Sequence, residues 1–260
     1  MTNAQKEFFK NTKVLANGGV PLVVYHGSKS RDFDAFQYDP TRQTGADHGE
    51  AYYFTSDYES AKAYAYDDLA DPRIKDFVKA KVELADQYDG KPGYFDALDN
   101  LCVNGVTFRD YQRIVAEKDF EVSGGEIHEV YLDMQRPYRI NAHQQPFYDI
   151  YSKDLFDKVK AAGYDGIIAY DINDTAAGTT RITDGYIVFK PEQIKSVDNL
   201  YPTQSKEFKD NSMDYLRTKK DMSFDERAEV SNYVCKRLRE SANKNLQREI
   251  AKQDRECGAR

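Results

Sequence analysis

An α+β chain is predicted by two patterns that recur along this sequence and by one local arrangement. Short apolar runs of strand length occur at residues 22–25, 52–54, 127–134, 167–170 and 185–189, each bounded by glycine, proline or polar clusters. Stretches with helical spacing lie at 57–66, 151–162 and 221–254. The local arrangement is the pair Val23-Val24-Tyr25-His26-Gly27-Ser28 and Ala51-Tyr52-Tyr53-Phe54-Thr55-Ser56. The first delivers an imidazole and a glycine at the end of an apolar run. The second puts Tyr53 on a strand and, eleven positions on, Tyr64 on the next helix, an arrangement suited to gripping a flat ring.

Taken in order, residues 3–10 read as a short helix anchored by Phe8 and Phe9. Asn17-Gly18-Gly19 is a tight-turn signal, so 14–16 and 22–25 are expected to pair as a hairpin. A polar loop with Phe33 and Phe36 leads through 45–49 to the Tyr52-Tyr53 strand. Residues 67–125, broken by Pro72, Pro92 and Gly93, read as a helical insert forming a lid or wall, with structural padding as the plain alternative. The helix at 151–162 is stopped by Gly163, which supplies a left-handed cap. Residues 171–183 read as a polar, mobile loop, and 194–197 as a short edge strand. Ser223-Phe224-Asp225-Glu226 is a capping box opening a long charged helix. Its thin ridge of Val230, Val234, Leu238, Leu246 and Ile250 is too narrow for a core of its own. The helix must lie on the body, on a second copy or on a partner. The chain therefore divides into a domain at 1–204 and a helical extension at 205–260.

Composition narrows the functional classes. The 260 residues carry a net charge of -7, against an open grip on nucleic acid by the whole molecule. The charge is uneven: 205–260 holds 14 Lys+Arg against 11 Asp+Glu, leaving 23 against 33 in the rest. This mildly basic tail reads as a solvated helix face, with a partner contact as the alternative. Cys102, Cys235 and Cys257 are scattered, and His26, His48, His128 and His143 lack metal-ligand spacing, so neither a disulfide framework nor a metal dependence is expected. No apolar run reaches bilayer length and the start lacks a signal-peptide core, so a cytoplasmic protein is expected.

Tyr25-His26-Gly27-Ser28, then Tyr53-Phe54-Thr55 with Ala61 and Tyr64-Ala65, then Gly163-Tyr164-Asp165-Gly166 and the run from Tyr186 to Ser196, resemble an ADP-ribosyltransferase of the His-Tyr-Glu class shared by diphtheria toxin and the poly(ADP-ribose) polymerases. The likeness is strongest to the ADP-ribosyltransferase domains of polyvalent proteins carried by phages and mobile elements. It covers about residues 5–200 apart from the insert. The resemblance implies split antiparallel sheets with flanking helices, holding NAD+ as substrate in the cleft between them. It implies that His26 bonds a ribose hydroxyl and that Gly27 offers its backbone to the nicotinamide amide. Ser28 and Phe54 would line the same site, and Tyr53 and Tyr64 would sandwich the cationic nicotinamide ring. Outside the resemblance, a histidine at a strand end or a tyrosine on a strand is ordinarily structural.

The departure lies at Gly185. Cleavage of the nicotinamide-ribose bond develops an oxocarbenium-like charge that a carboxylate stabilises. The family's glutamate precedes the Tyr186-Ile187-Val188 strand, where this chain has glycine. Three readings stay open. Asp184 serves if the strand start is bulged, although neighbouring strand residues point to opposite faces. Glu192 or Gln193 serves, or no acid is in place. The activity implied is mono-ADP-ribosyl transfer to a macromolecular acceptor, protein before nucleic acid, by an effector of a phage or mobile element. The alternatives are a weak or silent NAD+ or ADP-ribose binding module, and an NAD glycohydrolase toxin.

Overall fold

Among the described residues seven strands hydrogen-bond into one mixed sheet whose order differs from chain order. In this computed structural model residues 1–40, 48–88, 92–174 and 181–257 are described. Helix α1 (Asn3–Phe8) leads to strands β1 (Val24–Ser28) and β2 (Tyr52–Thr55), then helix α2 (Tyr58–Ala65). The insert holds α3 (Lys75–Tyr88), α4 (Tyr94–Asp99), β3 (Cys102–Val103), β4 (Val106–Thr107), α5 (Phe108–Glu117) and α6 (Phe120–Ser123). Next come β5 (Glu126–Leu132), β6 (Pro137–Asn141), α7 (Phe147–Ile150), α8 (Lys153–Ala161), β7 (Gly166–Asp174) and β8 (Arg181–Val188). Strand β9 (Ile194–Ser196) and helices α9 (Ser212–Thr218) and α10 (Phe224–Cys257) complete the chain.

Among the described residues the sheet order is β6-β7-β8-β2-β1-β5-β9, with β6 and β7 the one parallel pair of strands. Its middle is weakly joined. β2 pairs with β8 over four positions and β1 with β5 over five, yet β1 and β2 share the single register pair Tyr25↔Thr55. The sheet thus divides into a four-strand and a three-strand half that separate beyond Tyr25, the form the split-sheet expectation takes here. The fold is α+β.

Strand alternation sorts the core into two layers. Val24, Tyr52, Phe54, Val130, Ile168, Tyr186 and Val188 pack on one face with Phe36 and Phe208. Ile167, Ala169, Ile172 and Ile187 pack on the other with Tyr151, Phe156 and Val159 of the 147–161 segment. On this second face α2 lies directly against β1: a Cβ built on Gly27 would sit 1.8 Å from the Ala61 carbonyl oxygen.

Several local expectations need adjusting. The Asn17-Gly18-Gly19 turn forms, with Leu22 N–H donating to Val14 O at 3.0 Å, but the pairing stops at a Leu15↔Pro21 bridge and β1 joins β5 instead. The insert contains a hairpin as well as helices, β3 with β4 around Asn104 (φ 51) and Gly105 (φ 82). Both central residues have the positive φ of a type I′ turn. Residues 171–174 and 181–183 extend β7 and β8 by ladder pairing instead of forming a loop, and 175–180 lie outside the described residues. The rest agrees with the local chemistry. Asp57 caps α2 through Ser60 N–H, Gly163 takes φ 75 after α8, and Ser223 and Glu226 bond reciprocally at the head of α10.

The C-terminal region is tied to the body before α10 begins. Phe208 is a core residue, and the buried Lys195 ammonium donates to the Ser205 and Glu207 carbonyls. Val230 and Val234 of α10 then pack on Tyr201, whereas Leu238 and Leu246 are exposed.

Candidate functional site

Beyond the Tyr25↔Thr55 pair, a side chain takes over from the ladder. His26 Nδ1 lies 2.8 Å from the Tyr53 carbonyl oxygen, across the gap between β1 and β2. A carbonyl can only accept, so Nδ1 carries the proton and Nε2 is left as an acceptor. Burial lowers the His26 pKa, which keeps the ring neutral in this form. The imidazole rests against Phe36 (4.9 Å between centroids) and Phe54 (5.5 Å) and stacks over His128 at 6.3 Å.

His128 is the more deeply buried of the two, 5 % exposed in a box of Phe33, Phe36 and Phe208, and its Nε2 has no hydrogen-bond partner among the described residues. Burial, reinforced by the neighbouring His26 and Lys209, pushes its pKa down to about 3. An unfolded histidine titrates near 6.5, so as the pH falls below that value the unfolded chain takes the proton first. The stabilisation is complete above about pH 7 and is lost toward pH 3, with about 2 kcal/mol lost between pH 7 and 5 from this residue. Urea titrations across that range should show this loss, and His128→Phe should flatten the curve by the same amount. An equal slope in both proteins would remove His128 as its source.

The other face of the sheet gathers the tyrosines. Tyr53 packs on Tyr151 (6.2 Å) and Phe156 (6.3 Å), and its hydroxyl lies 3.0 Å from His48 Nδ1. Tyr64, on α2, donates to Asp174 Oδ1 at 2.9 Å. Asp174 is 8 % exposed and Tyr151 6 %. The Tyr151 hydroxyl points at Gly185, where a built Cβ would lie 2.5 Å from it. Burial, followed by the nearby Tyr53, Asp174, Tyr64 and Asp184, raises the Tyr151 pKa, so this phenol stays protonated. Burial and the Asp174 charge do the same to Tyr64.

The expected site residues therefore fall in two groups. Tyr53 and Tyr64 share a face with Gly185 and Gly27. His26 and Ser28 alternate onto the opposite face, where Phe54 is a buried core ring. Asp184 also takes that opposite face. It borders two cavities of about 350 and 370 Å³, with Tyr170 in both, and accepts from Asp171 N–H at 3.0 Å. Gln193 is engaged by backbone, donating to Asp133 O and Asp165 O and accepting from Phe189 and Lys190 N–H, which makes it a turn residue. Glu192 sits beside it in the same short 3-10 turn, Pro191–Gln193.

Two members of the tyrosine cluster, Tyr151 and Asp174, were not foreseen. Asp174 lies in a stretch that reads as loop, and Tyr151 looks like the start of a helix. Neither carries a local signal of its own, because what brings them together is the pairing of β7 with β8.

The split in the sheet, the histidine-held carbonyl and the two tyrosines, one on β2 and one on α2, all fall in the first part of the chain. Residues 16–90 match the family model of ADP-ribosyltransferase in polyvalent proteins. The matched segment runs through β1, β2 and α2 into the insert, and supports an ADP-ribosyltransferase-type enzyme of the polyvalent-protein kind. Domains of that kind use NAD+ as substrate. No curated protein and no solved structure matches the chain. Among the described residues no helix is long and apolar enough to cross a membrane, and no cluster of metal-ligating side chains occurs.

Proposed function

We propose that this protein is an NAD+-dependent mono-ADP-ribosyltransferase acting on a macromolecular acceptor, protein before nucleic acid, as an effector of a phage or mobile element in the cytoplasm of the producing or infected cell. The observation that carries the reading is the placing of Tyr53 and Tyr64 around Tyr151 on one side of the sheet where β1 and β2 part, with His26 holding the Tyr53 carbonyl from across the gap. The two rings grip the cationic nicotinamide. His26 Nε2, left as an acceptor by the bond to Tyr53, takes a ribose hydroxyl at the gap between β1 and β2, and the backbone of Gly27 and Ser28 borders the amide. The net charge of -7 favours a protein acceptor over a polyanionic one.

The Tyr151 hydroxyl at Gly185 favours a second reading, a module that binds NAD+ or ADP-ribose and turns over slowly or not at all. Incubation with NAD+ labelled on its ADP-ribose half, in a cell extract, separates the two. Label on protein is the expected result. Free ADP-ribose with nicotinamide would instead mark a glycohydrolase, and calorimetric binding without turnover would mark the module. Absence of any NAD+ binding would end both readings.

A further inference from the structure

We propose, building on the NAD+ reading, that Asp174 at the end of β7 is the anion of this site and supplies the charge that position 185 lacks. Breaking the bond between ribose C1′ and the nicotinamide nitrogen sends the electron pair to the nicotinamide ring, which becomes neutral. C1′ and the ribose ring oxygen are left sharing a positive charge. A nucleophile of the acceptor then bonds to C1′ and releases its proton to solvent. A fixed carboxylate beside this sequence favours the bound cation before cleavage and the ribosyl cation during it.

Strand parity decides which carboxylate faces the tyrosines. Ala169 pairs with Gly185 and Ile172 with Thr183, so Tyr170 and Asp171 together oppose the single residue Asp184. This is a β-bulge, and Asp171 takes a positive φ of 56° in it. In an unbroken strand residues 171 and 173 would share the face of Ala169. The extra residue advances the phase by one, so Ile172 joins Ala169 in the core layer around Tyr151 and Asp174 follows it two positions on. The Asp184 carboxylate holds the bulge by accepting from Asp171 N–H. Asp184 is thus a positioning residue that turns Asp174 toward the clamp.

The surroundings of Asp174 suit that role. It accepts from the hydroxyl of Tyr64, one of the two clamp residues, and stands near enough to Tyr151 to act on its ionisation. Carboxylates are seldom buried to this depth, and a buried one exerts a stronger field than a surface one because less water screens it.

The test compares NAD+ with NADH, whose nicotinamide ring is uncharged. Wild type should bind NAD+ the more tightly. Asp174→Asn keeps an acceptor for Tyr64 but loses the charge, and should weaken NAD+ binding about tenfold with little change for NADH. NAD+ turnover should fall about 100-fold or more, with partial rescue by Asp174→Glu. Asp174→Ser is the second neutral variant should the first fail to fold. An unchanged NAD+ to NADH ratio and turnover in a folded neutral variant would overturn the assignment. So would a larger loss of NAD+ preference in Asp184→Asn than in Asp174→Asn. Wild type that binds neither nucleotide would overturn the NAD+ reading itself, and this inference with it.

Discussion

Adding one methyl group at Gly27 should destabilise the protein by about 3 kcal/mol, the upper end of ordinary overpacking costs. The new Cβ would lie 1.8 Å from the Ala61 carbonyl oxygen and 2.8 Å from Ala65 N. Both obstacles are helix backbone, which cannot swing aside as a side-chain tip can, so α2 must move away from β1. Gly125 carries the same constraint one strand over, its built Cβ 1.9 Å from Ala65 O. For a chain of this size 3 kcal/mol corresponds to a fall of about 6–12 °C in the thermal midpoint, measurable by circular dichroism. Because α2 carries Tyr64, Gly27→Ala should weaken NAD+ binding as well. A midpoint within 1–2 °C of wild type, on the order of 0.5 kcal/mol, would show that α2 does not rest on β1 in this way. The glycine after the histidine thus has a packing role of its own, independent of any contact between its backbone and a nucleotide.

That double role shows what the sequence makes legible and what it does not. Local chemistry marks its elements well: Asp57 before α2, Gly163 after α8, and Ser223 with Glu226 at α10 each satisfy backbone groups within a few residues of themselves. Asn104-Gly105 is an equally local signal for the β3-β4 hairpin, obscured by the helical spacing around it. Tyr53 and Tyr64 are legible because one strand and the following helix bring both to the surroundings of Tyr151. Asp174 and Tyr151 are not, since the first depends on a bulge whose phase shift exists only against β8 and the second on how 147–161 crosses the sheet. The conflict at Gly185 is visible in the sequence as a missing acid. Its resolution is a matter of tertiary structure: a phenol fills the vacated direction, and a carboxylate on that face, Asp174, comes from another strand.

Tyr64→Ala should lower NAD+ affinity about 10- to 100-fold while leaving the fold intact. A ring stacked on a flat heterocycle is worth roughly 1–3 kcal/mol, and the positive charge on nicotinamide adds a cation-π component. Tyr64 is the better of the two clamp residues to remove, because it is 36 % exposed and its hydroxyl makes one side-chain bond, to Asp174. Tyr53 packs against both Tyr151 and Phe156, so its removal would also leave a cavity and confound binding with stability. Tyr64→Phe separates the ring from the hydroxyl. If stacking dominates, the phenylalanine variant should bind NAD+ within about threefold of wild type, a difference under 1 kcal/mol. Calorimetric titration with NAD+, alongside thermal melts of all three proteins, decides the matter. Wild-type affinity in a folded Tyr64→Ala protein would leave Tyr53 as an ordinary packing tyrosine and remove the ring clamp on which the nucleotide reading depends.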